Sequence, residues 1–316
     1  MSKYLVTGVA GFIGSAVANA LLAQGHEVVG IDNMTTGSPE NVSSKITFFQ
    51  ADCQDPSLYA SKLPKQKYDA IFHIAGQSSG EISFDDPSYD LRTNTESTLH
   101  LLKFGLANDC KRFIYASTMS VYGMQPDKEI DESSSTFPLS FYGVGKLASE
   151  HYLRLYEQFG MRSTALRLFN VYGTGQNMSN LRQGMVSIFM AMMLKDGKIH
   201  VKGSPERYRD FVYIDDVVNA FLLCLERESS AGQAINISGS GRTTVGSLID
   251  KLVQLKGSES SSGKEIPVKF EGSTAGDMHG IYASQQKAEE ILGYKPKFTL
   301  DSGLKRMYDW AKELKF

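Results

Sequence analysis

The segment Thr7-Gly8-Val9-Ala10-Gly11-Phe12-Ile13-Gly14 decides the fold class of this 316-residue chain. The apolar pair Leu5-Val6 before it predicts a β-strand, and the run 12–23 after it predicts a helix. Glycines between a strand and a helix permit a sharp turn, close packing of the two elements and close approach of the backbone to a phosphate. The first amides of the helix would face that phosphate. The segment therefore predicts a strand–turn–helix unit that binds a pyrophosphate.

Short apolar runs continue to alternate with helix-length stretches as far as residue 170. Further strands are predicted at 27–31, 46–50, 70–74, 113–116 and 164–169, and helices at 92–107 and 142–158. This alternation predicts an α/β fold, a Rossmann-type doubly wound parallel sheet with helices on both faces. We predict a dinucleotide-binding domain over residues 1–170, with a returning segment near 210–238. The remainder, 171–316, is predicted to form most of a smaller, mixed lobe that binds substrate.

Composition excludes several classes of partner. The 33 Lys and Arg residues nearly balance the 35 Asp and Glu residues, so the formal net charge is −2, and nucleic acid or an anionic membrane has no general attraction for the chain. No apolar run reaches the roughly 18 residues of a membrane span. Cys53, Cys110 and Cys224 lie far apart with no His cluster near them, which predicts no metal site and a reducing compartment. We expect a cytoplasmic protein with neither a nucleic-acid nor a membrane partner.

An acidic residue, Asp32, ends the second predicted strand. A carboxylate at this position accepts hydrogen bonds from the ribose hydroxyls of NAD and repels the 2′-phosphate of NADP, so the expected cofactor is NAD. Asn33 follows it, and Asp52 and Cys53, just past the third strand, are placed where the adenine would lie. The alternative is a structural glycine turn with a surface aspartate.

Tyr142 and Lys146 are four residues apart, so a helix places them on one face, one turn apart. A phenol has an ordinary pKa of about 10, and a nearby ammonium favours its ionised form. The lysine can also reach the ribose of the nicotinamide. The pair therefore predicts a proton acceptor beside a hydride acceptor, which oxidation of an alcohol requires. The alternative is a solvated helix face.

The segment Ala116-Ser117-Thr118-Met119-Ser120-Val121-Tyr122-Gly123 directly follows the fifth predicted strand. Ligands of open parallel sheets bind beyond the carboxyl ends of the strands. A hydroxyl here can hydrogen-bond a substrate oxygen and share its proton with the tyrosine. Ordinary loop hydrogen bonds are the alternative for Ser117 and Ser120.

These motifs together resemble a known family. The glycine spacing GxxGxxG, in the form TGxxGFIG, resembles the extended short-chain dehydrogenase/reductases, and within them the NAD-dependent nucleotide-sugar epimerases and dehydratases of the UDP-glucose 4-epimerase-like type. Similar family marks are HIAG at 73–76, SVYG at 120–123, RLFNVYG at 167–173, RDFVYIDDV at 209–217 and NISGSG at 236–241. The resemblance spans nearly the whole chain.

The resemblance implies roles for particular residues. It implies catalysis by Thr118, Tyr142 and Lys146. His73 is expected to be a packed residue rather than a catalytic one. It adds Ala75, Gly76, Asn94 and Phe169 to the cofactor-binding residues Gly8, Gly11, Phe12, Ile13, Gly14, Asp32, Asn33, Asp52, Cys53, Tyr142 and Lys146. The implied substrate-binding residues are Ser117, Ser120, Asn170, Arg209 and Asp277. For Arg209, a surface ion pair with Asp210 is the alternative to an anion clamp.

Two departures from the family pattern narrow the expected reaction. The 4,6-dehydratases carry Asp-Glu directly after the threonine, but here Met119 and Ser120 occupy those positions, and neither can abstract a proton from carbon. Thr274 replaces the arginine of the family's RxGD motif, which in the family binds the diphosphate. Either Arg209 and a neighbouring lysine bind the diphosphate without it, or the nucleotide is not UDP. We expect a nucleotide-sugar 4-epimerase with tightly bound NAD. The alternatives are a 4-ketoreductase, a 4,6-dehydratase-like enzyme and an NAD-binding regulator without activity.

The expected substrate is a nucleotide sugar, with a UDP-hexose preferred. Family members pair as homodimers through a four-helix bundle, which the predicted helices 92–107 and 142–158 could supply. Apolar residues recur at helical spacings on them, namely Leu99, Leu102, Leu147 and Leu155. Core packing within one chain explains the same pattern equally well.

Overall fold

A computed structural model describes residues 1–257, 266–272 and 278–314. Its strands are β1 (Lys3–Thr7), β2 (Glu27–Asp32), β3 (Thr47–Gln50), β4 (Ala70–His73), β5 (Arg112–Thr118), β6 (Arg162–Leu168), β7 (Asn170–Tyr172), β8 (Ile199–Lys202), β9 (Tyr208–Arg209), β10 (Phe211–Tyr213), β11 (Gln233–Ile237), β12 (Thr243–Thr244) and β13 (Val268–Glu271). Its α-helices are α1 (Phe12–Ala23), α2 (Pro87–Leu91), α3 (Ser97–Ala107), α4 (Phe141–Tyr156), α5 (Met185–Lys195), α6 (Ile214–Glu226), α7 (Val245–Gly257), α8 (Gln286–Leu292) and α9 (Leu300–Lys312).

The central sheet has seven strands in the order β11-β6-β5-β4-β1-β2-β3, and neighbouring strands run parallel. From β1 the strand order runs outward in both directions, through β2 to β3 on one side and through β4 to β11 on the other, which is the doubly wound arrangement. All seven carboxyl ends therefore lie on one edge. The predicted fold class is confirmed.

The sheet is buried on both faces. Within β1, Leu5 packs into the core on one face and Val6 into the core on the other, and both are fully buried. Side chains alternate between the faces of a strand, so a strand covered on both sides reads as a continuous apolar run. Helices α1 and α6 pack against each other over one face.

The predicted helix 92–107 begins differently in the structure. Residues Arg92–Glu96 form one π-helical turn, and the α-helix α3 begins only at Ser97. The hydroxyl of Thr93 donates to the carbonyl of Tyr89 at 3.0 Å, and the hydroxyl of Thr98 donates to that of Asn94 at 3.1 Å. Hydroxyl side chains that bond to nearby carbonyls compete with regular helix geometry, and π-turns recur at functional sites.

A second packed cluster is formed by α5, α7 and α9 around β7 and β10, whereas α6 and α8 pack on the central sheet. The predicted returning segment near 210–238 contains two strands, β10 and β11. Strand β11 joins the central sheet beside β6, but β10 pairs with β7 outside that sheet. All three residues of β10 are buried, so their burial pattern does not indicate which strand β10 pairs with. None of the helices in the described ranges combines the length and apolarity that a membrane span requires.

Candidate active site

Most of the predicted site residues lie along the carboxyl edge of the central sheet. The sheet order arranges them in sequence from β3 to β6. They are Asp52 and Cys53 after β3, Asp32 and Asn33 at β2, Gly8, Gly11, Phe12, Ile13 and Gly14 after β1, Ala75 and Gly76 after β4, Thr118 at the end of β5, and Phe169 and Asn170 after β6. A long ligand lying along this edge could therefore contact several strands in turn.

The glycine turn is fixed tightly to the neighbouring strand. Gly8 has φ +73°, a left-handed conformation that favours glycine, and a Cβ there would lie 2.8 Å from the amide nitrogen of Ala75. Gly14 has no room for a side chain, because its Cβ would overlap the carbonyl of Gly8. Helix α1 begins after Gly11 with no side-chain cap. Its first amides are therefore positioned to receive an anion.

Replacing Gly14 by alanine should disrupt this turn. The added methyl group pushes α1 away from the Gly8 carbonyl, so we expect a loss of about 1–3 kcal/mol in the free energy of unfolding and a large loss of dinucleotide affinity. Denaturant unfolding and calorimetric titration with NAD would measure the two effects. Gly246→Ala in α7 is the matched control, because its Cβ would find nothing closer than 3.4 Å. Equal behaviour of the two variants would contradict the expectation.

The carboxylate of Asp32 is held against the turn. It accepts the amide of Ala10 at 3.0 Å and that of Met34 at 2.8 Å. The side-chain amide of Asn33 donates to Asp52 at 2.9 Å, which joins the ends of β2 and β3. Burial raises the pKa of the Cys53 thiol, so it behaves as a packed apolar group. Within the described ranges, no three His, Cys, Asp or Glu side chains are grouped so that they could hold a metal ion.

Tyr142, Lys146 and Thr118 come together at the end of β5. Helix α4 starts at the cap residue Ser140, whose hydroxyl accepts the amide of Gly143 at 3.2 Å, and it carries Tyr142 in its first turn. Among the groups that shift the pKa of the Tyr142 phenol, the Thr118 hydroxyl is the one that favours the phenolate. The structure therefore places the predicted base beside the predicted hydroxyl.

The ionisation of Tyr142 differs from the prediction. Burial raises its pKa to about 12, although the Thr118 hydroxyl opposes the rise. The predicted lowering by Lys146 is not found in this structure. The ammonium donates to the carbonyl of Ala116 at 3.0 Å and lies 5.9 Å from the centroid of the Tyr142 ring. Burial lowers the pKa of Lys146 itself to about 8.

Two polar residues near Lys146, Gln77 and Asp90, were not predicted from the sequence. Asn94 was predicted, and its side-chain amide donates to the carbonyl of Gln77 at 2.9 Å and to Asp90 at 3.1 Å. Its Oδ1 is buried with no hydrogen-bond partner among the described residues, and it lies against Gly76. The available signal was that Asp90 precedes Asn94 by four residues, one helical turn.

The predicted substrate residues are placed unequally. Ser117 is buried, and its hydroxyl donates to Glu150, so the structure gives it a packing role and corrects the prediction. Ser120 accepts a hydrogen bond from Thr118 at 3.3 Å and stays near the catalytic group. The side-chain amide of Asn170 lies 3.2 Å from the carbonyl of Asp210 and 3.4 Å from the sulfur of Met119. Asp277 lies outside the described residues, as does Thr274.

Arg209 is buried rather than at the surface. Its guanidinium donates to the carbonyls of Tyr208 at 2.7 Å, Met278 at 2.9 Å and His279 at 3.3 Å. The alternative of an ion pair with Asp210 is wrong, because that carboxylate accepts the amides of Gly239, Gly241 and Ala283 instead.

His73 has the packed environment expected for it. It is fully buried, Nδ1 lies 2.8 Å from the hydroxyl of Thr7, and Nε2 lies 3.1 Å from that of Thr98. Burial lowers its pKa well below the usual value, so it is neutral. The same Thr7 hydroxyl accepts the amide of Ala75 at 3.1 Å, which ties β1 to the end of β4.

Known proteins are similar to this chain in both sequence and architecture. Residues 4–238 match the sequence profile of the NAD dependent epimerase/dehydratase family. The chain is similar to the putative UDP-glucose 4-epimerase of Methanocaldococcus jannaschii, with 34% identity over 310 residues that cover 98% of each chain. It is also similar to the structure of UDP-glucose 4-epimerase with UDP-glucose from Thermotoga maritima, with a TM-score of 0.92, 33% identity and coverage of 98% of this chain and 99% of that one.

A third similar protein is the UDP-glucuronic acid 4-epimerase from Bacillus cereus, in complex with UDP-glucuronic acid and NAD. Its TM-score is 0.87 at 30% identity, with coverage of 99% of this chain and 100% of that one. The resemblance predicted from the motifs is confirmed by these matches. The chain belongs to the NAD dependent epimerase/dehydratase family.

Proposed function

We propose that this protein is an NAD-dependent nucleotide-sugar 4-epimerase. The observation that carries the proposal is the meeting of Tyr142, Lys146 and Thr118 at the sheet edge that also bears the glycine turn. The sulfur of Met119 contacts the side-chain amide of Asn170. Met119 and Ser120 follow Thr118, and neither side chain carries a carboxylate that could act in elimination of water. This supports epimerisation over the 4,6-dehydratase alternative.

The residues at this edge fit NAD. Gly14 lets α1 pack closely on the glycine turn, the uncapped start of α1 supplies amides, and the unpartnered Oδ1 of Asn94 supplies an acceptor for a dinucleotide. When bound, NAD supplies a hydride acceptor and a positively charged ring. We assign its diphosphate to Gly8, Gly11, Phe12, Ile13 and Gly14, its adenosine to Asp32, Asn33, Asp52 and Cys53, and its nicotinamide riboside to Ala75, Gly76, Asn94, Tyr142, Lys146 and Phe169.

Tyr142 acts as the base. Its phenolate takes the proton of the sugar 4-hydroxyl while the Thr118 hydroxyl hydrogen-bonds the same oxygen. Lys146, whose ammonium lies 5.9 Å from the centroid of the Tyr142 ring, is the proposed contact to the ribose of the nicotinamide. The phenol later returns the proton to the opposite epimer, so the cycle consumes no proton. A 4-ketoreductase would use the same groups with net turnover of cofactor.

We propose a UDP-hexose as the substrate. The similar epimerases act on UDP-glucose or UDP-glucuronic acid by their names, which supports the nucleotide but leaves the sugar open. Ser120, Asn170, Arg209 and Asp277 are the proposed substrate contacts. Arg209 acts by holding the Met278–His279 backbone as well as by its charge.

The test is incubation of the purified protein with NAD and each of UDP-glucose, UDP-galactose, UDP-glucuronic acid and UDP-N-acetylglucosamine. Inversion at C4, followed by proton NMR with no net change in nicotinamide absorbance at 340 nm, supports the epimerase. A stoichiometric absorbance change would favour the ketoreductase. Tight NAD binding without turnover of UDP-, GDP-, CDP- or dTDP-hexoses would contradict the proposal. The regulator alternative is not kept, because the matching relatives are named as enzymes.

The Asp32 carboxylate should determine the choice between NAD and NADP. Asp32→Asn removes a charged acceptor for the ribose hydroxyls and the repulsion of a 2′-phosphate, so we expect NAD affinity to fall about 10- to 100-fold. The preference for NAD over NADP should fall by more than the NAD affinity. Dissociation constants for both dinucleotides would measure this. An unchanged ratio would contradict the assigned role, and Asp55→Asn, an exposed change beyond β3, is the control.

Localisation, assembly and domain division are also proposed. We infer a cytoplasmic homodimer of chains, each with a dinucleotide-binding domain over residues 1–170 and a substrate lobe over most of 171–316. Free, buried Cys53, Cys110 and Cys224 support a reducing compartment. Leu155 is exposed and Leu99 and Leu147 are partly so, which supports a helical interface, whereas Leu102 is buried within its own chain. Light scattering of the purified protein would test the dimer.

A further inference from the structure

A buried carboxylate near Lys146 has no part in the proposed mechanism. Asp90, in helix α2, is 1% exposed. Its Oδ1 accepts the side-chain amides of Gln77 at 2.8 Å and Asn94 at 3.1 Å. Its Oδ2 has no hydrogen-bond partner within the described ranges. A buried carboxylate oxygen without a partner is costly, so its retention calls for an explanation.

The unpartnered oxygen faces the catalytic helix. A Cβ on Gly145, the residue before Lys146, would lie 3.4 Å from Asp90 Oδ2. A Cβ on Gly76 would lie 3.4 Å from the Lys146 ammonium and would overlap Asn94 Oδ1. Two glycines thus let α2, the end of β4 and α4 approach closely, and the carboxylate and the ammonium share one buried polar pocket.

The other titratable groups around Lys146 carry no negative charge. His73 on β4 is neutral, because burial and then the charge of Lys146 lower its pKa. The ring of Tyr115 on β5 lies 4.8 Å from the ammonium, and burial raises the pKa of its hydroxyl. Tyr142 on α4 is also protonated at neutral pH. Asp90 is the carboxylate that acts on Lys146 among these neighbours.

We propose that Asp90 is a positioning residue that holds Lys146 in its charged form and thereby sets the pH range in which Tyr142 and Lys146 work together. This inference rests on the proposed function for its activity readout. Glu150, farther along α4, does not substitute for it, because Glu150 is paired with Arg167 at 2.7 Å.

The direction of the effect follows from the charges. Burial lowers the pKa of Lys146 to about 8, and Asp90 opposes this by favouring the ammonium. Asp90 also raises the pKa of Tyr142, because it disfavours a second negative charge. Removing the carboxylate charge therefore lowers both pKa values. Because Asp90 shifts the pKa values of both groups in the same direction, the whole pH profile should move to lower pH, whichever group defines each limb.

Asp90→Asn is the test, since it keeps the size of the side chain and an oxygen that accepts from Gln77 and Asn94. We expect both limbs of the pH profile of kcat/KM to move down by about one pH unit. The pH at which NAD affinity weakens, measured by calorimetry without substrate, should move in the same direction. A structural role alone would lower activity or stability without moving the profile. An unmoved profile together with unmoved NAD binding would overturn the inference.

Further measurements distinguish a failure of the inference about Asp90 from a failure of the proposed function. Glu96→Gln removes an equal charge from an exposed position near Asn94 and should leave the profile in place. In Lys146→Met, the carboxyl carbon of Asp90, followed by ¹³C NMR, should titrate at higher pH than in the unmodified protein, because the coupling is reciprocal. This measurement also serves if Asp90→Asn does not fold, and an unchanged titration would overturn the inference. Absence of NAD binding or turnover in the unmodified protein would instead contradict the proposed function.

Discussion

Tyr142→Phe is expected to lower turnover by about 10²- to 10⁴-fold, the range that a lost general base accounts for, while NAD stays bound. The aromatic ring is buried and fills the same space in the variant, so only the hydroxyl is lost. The glycine turn, Asp32 and Lys146 are untouched. C4 inversion followed by NMR would measure turnover, and chromatography of the denatured protein would measure the retained cofactor.

Tyr152→Phe is the matched control for this variant. It removes the same hydroxyl from the same helix at a half-buried position ten residues later, and it should keep turnover within about twofold because surface substitutions have small effects. Full activity in Tyr142→Phe would end the proposed chemistry. Loss of NAD together with activity would show instead that Tyr142 acts mainly in binding the cofactor.

The fold was predictable because its signals are local. Leu5-Val6 reads as a strand buried on both faces, and Gly8 and Gly14 mark positions where a Cβ has no space. Each signal lies within about ten residues of the element that it predicts, and the alternation of elements then specifies a parallel sheet. Tyr142 and Lys146 were found for the same reason, since their spacing alone places them on one helix face.

The environment of the site was less predictable because burial is a tertiary property. The sequence places Ser117 beside Thr118, but only the packing of α4 on β5 directs its hydroxyl to Glu150. The same packing buries Tyr142, so desolvation raises its pKa, and the lowering by Lys146 that the spacing predicts is not found. Asp90 was missed because neither a glycine nor a family motif marks it. Its importance comes from the close approach of α2 to α4.

Breaking the buried pair of Glu150 and Arg167 should produce the largest loss of stability. The guanidinium donates to both carboxylate oxygens, at 2.7 to 3.2 Å, and to the hydroxyl of Tyr122 at 2.9 Å, and both charged side chains are only 8% exposed. Glu150→Gln leaves the arginine charge buried without its counter-charge. We therefore expect a loss of about 3–5 kcal/mol in the free energy of unfolding, measured in denaturant.

The comparison that isolates this cost is the double variant Glu150→Leu with Arg167→Met. Replacing both charges by apolar groups removes the desolvation penalty along with the attraction, so the double variant should be more stable than Glu150→Gln. It still loses about 1 kcal/mol for the bond from Ser117 to Glu150. Lys305→Gln, which breaks an exposed pair with Asp309 on α9, should leave stability unchanged within error. If Glu150→Gln also matched that control, the pair would not be what fixes α4, and with it Tyr142 and Lys146, to strands β5 and β6.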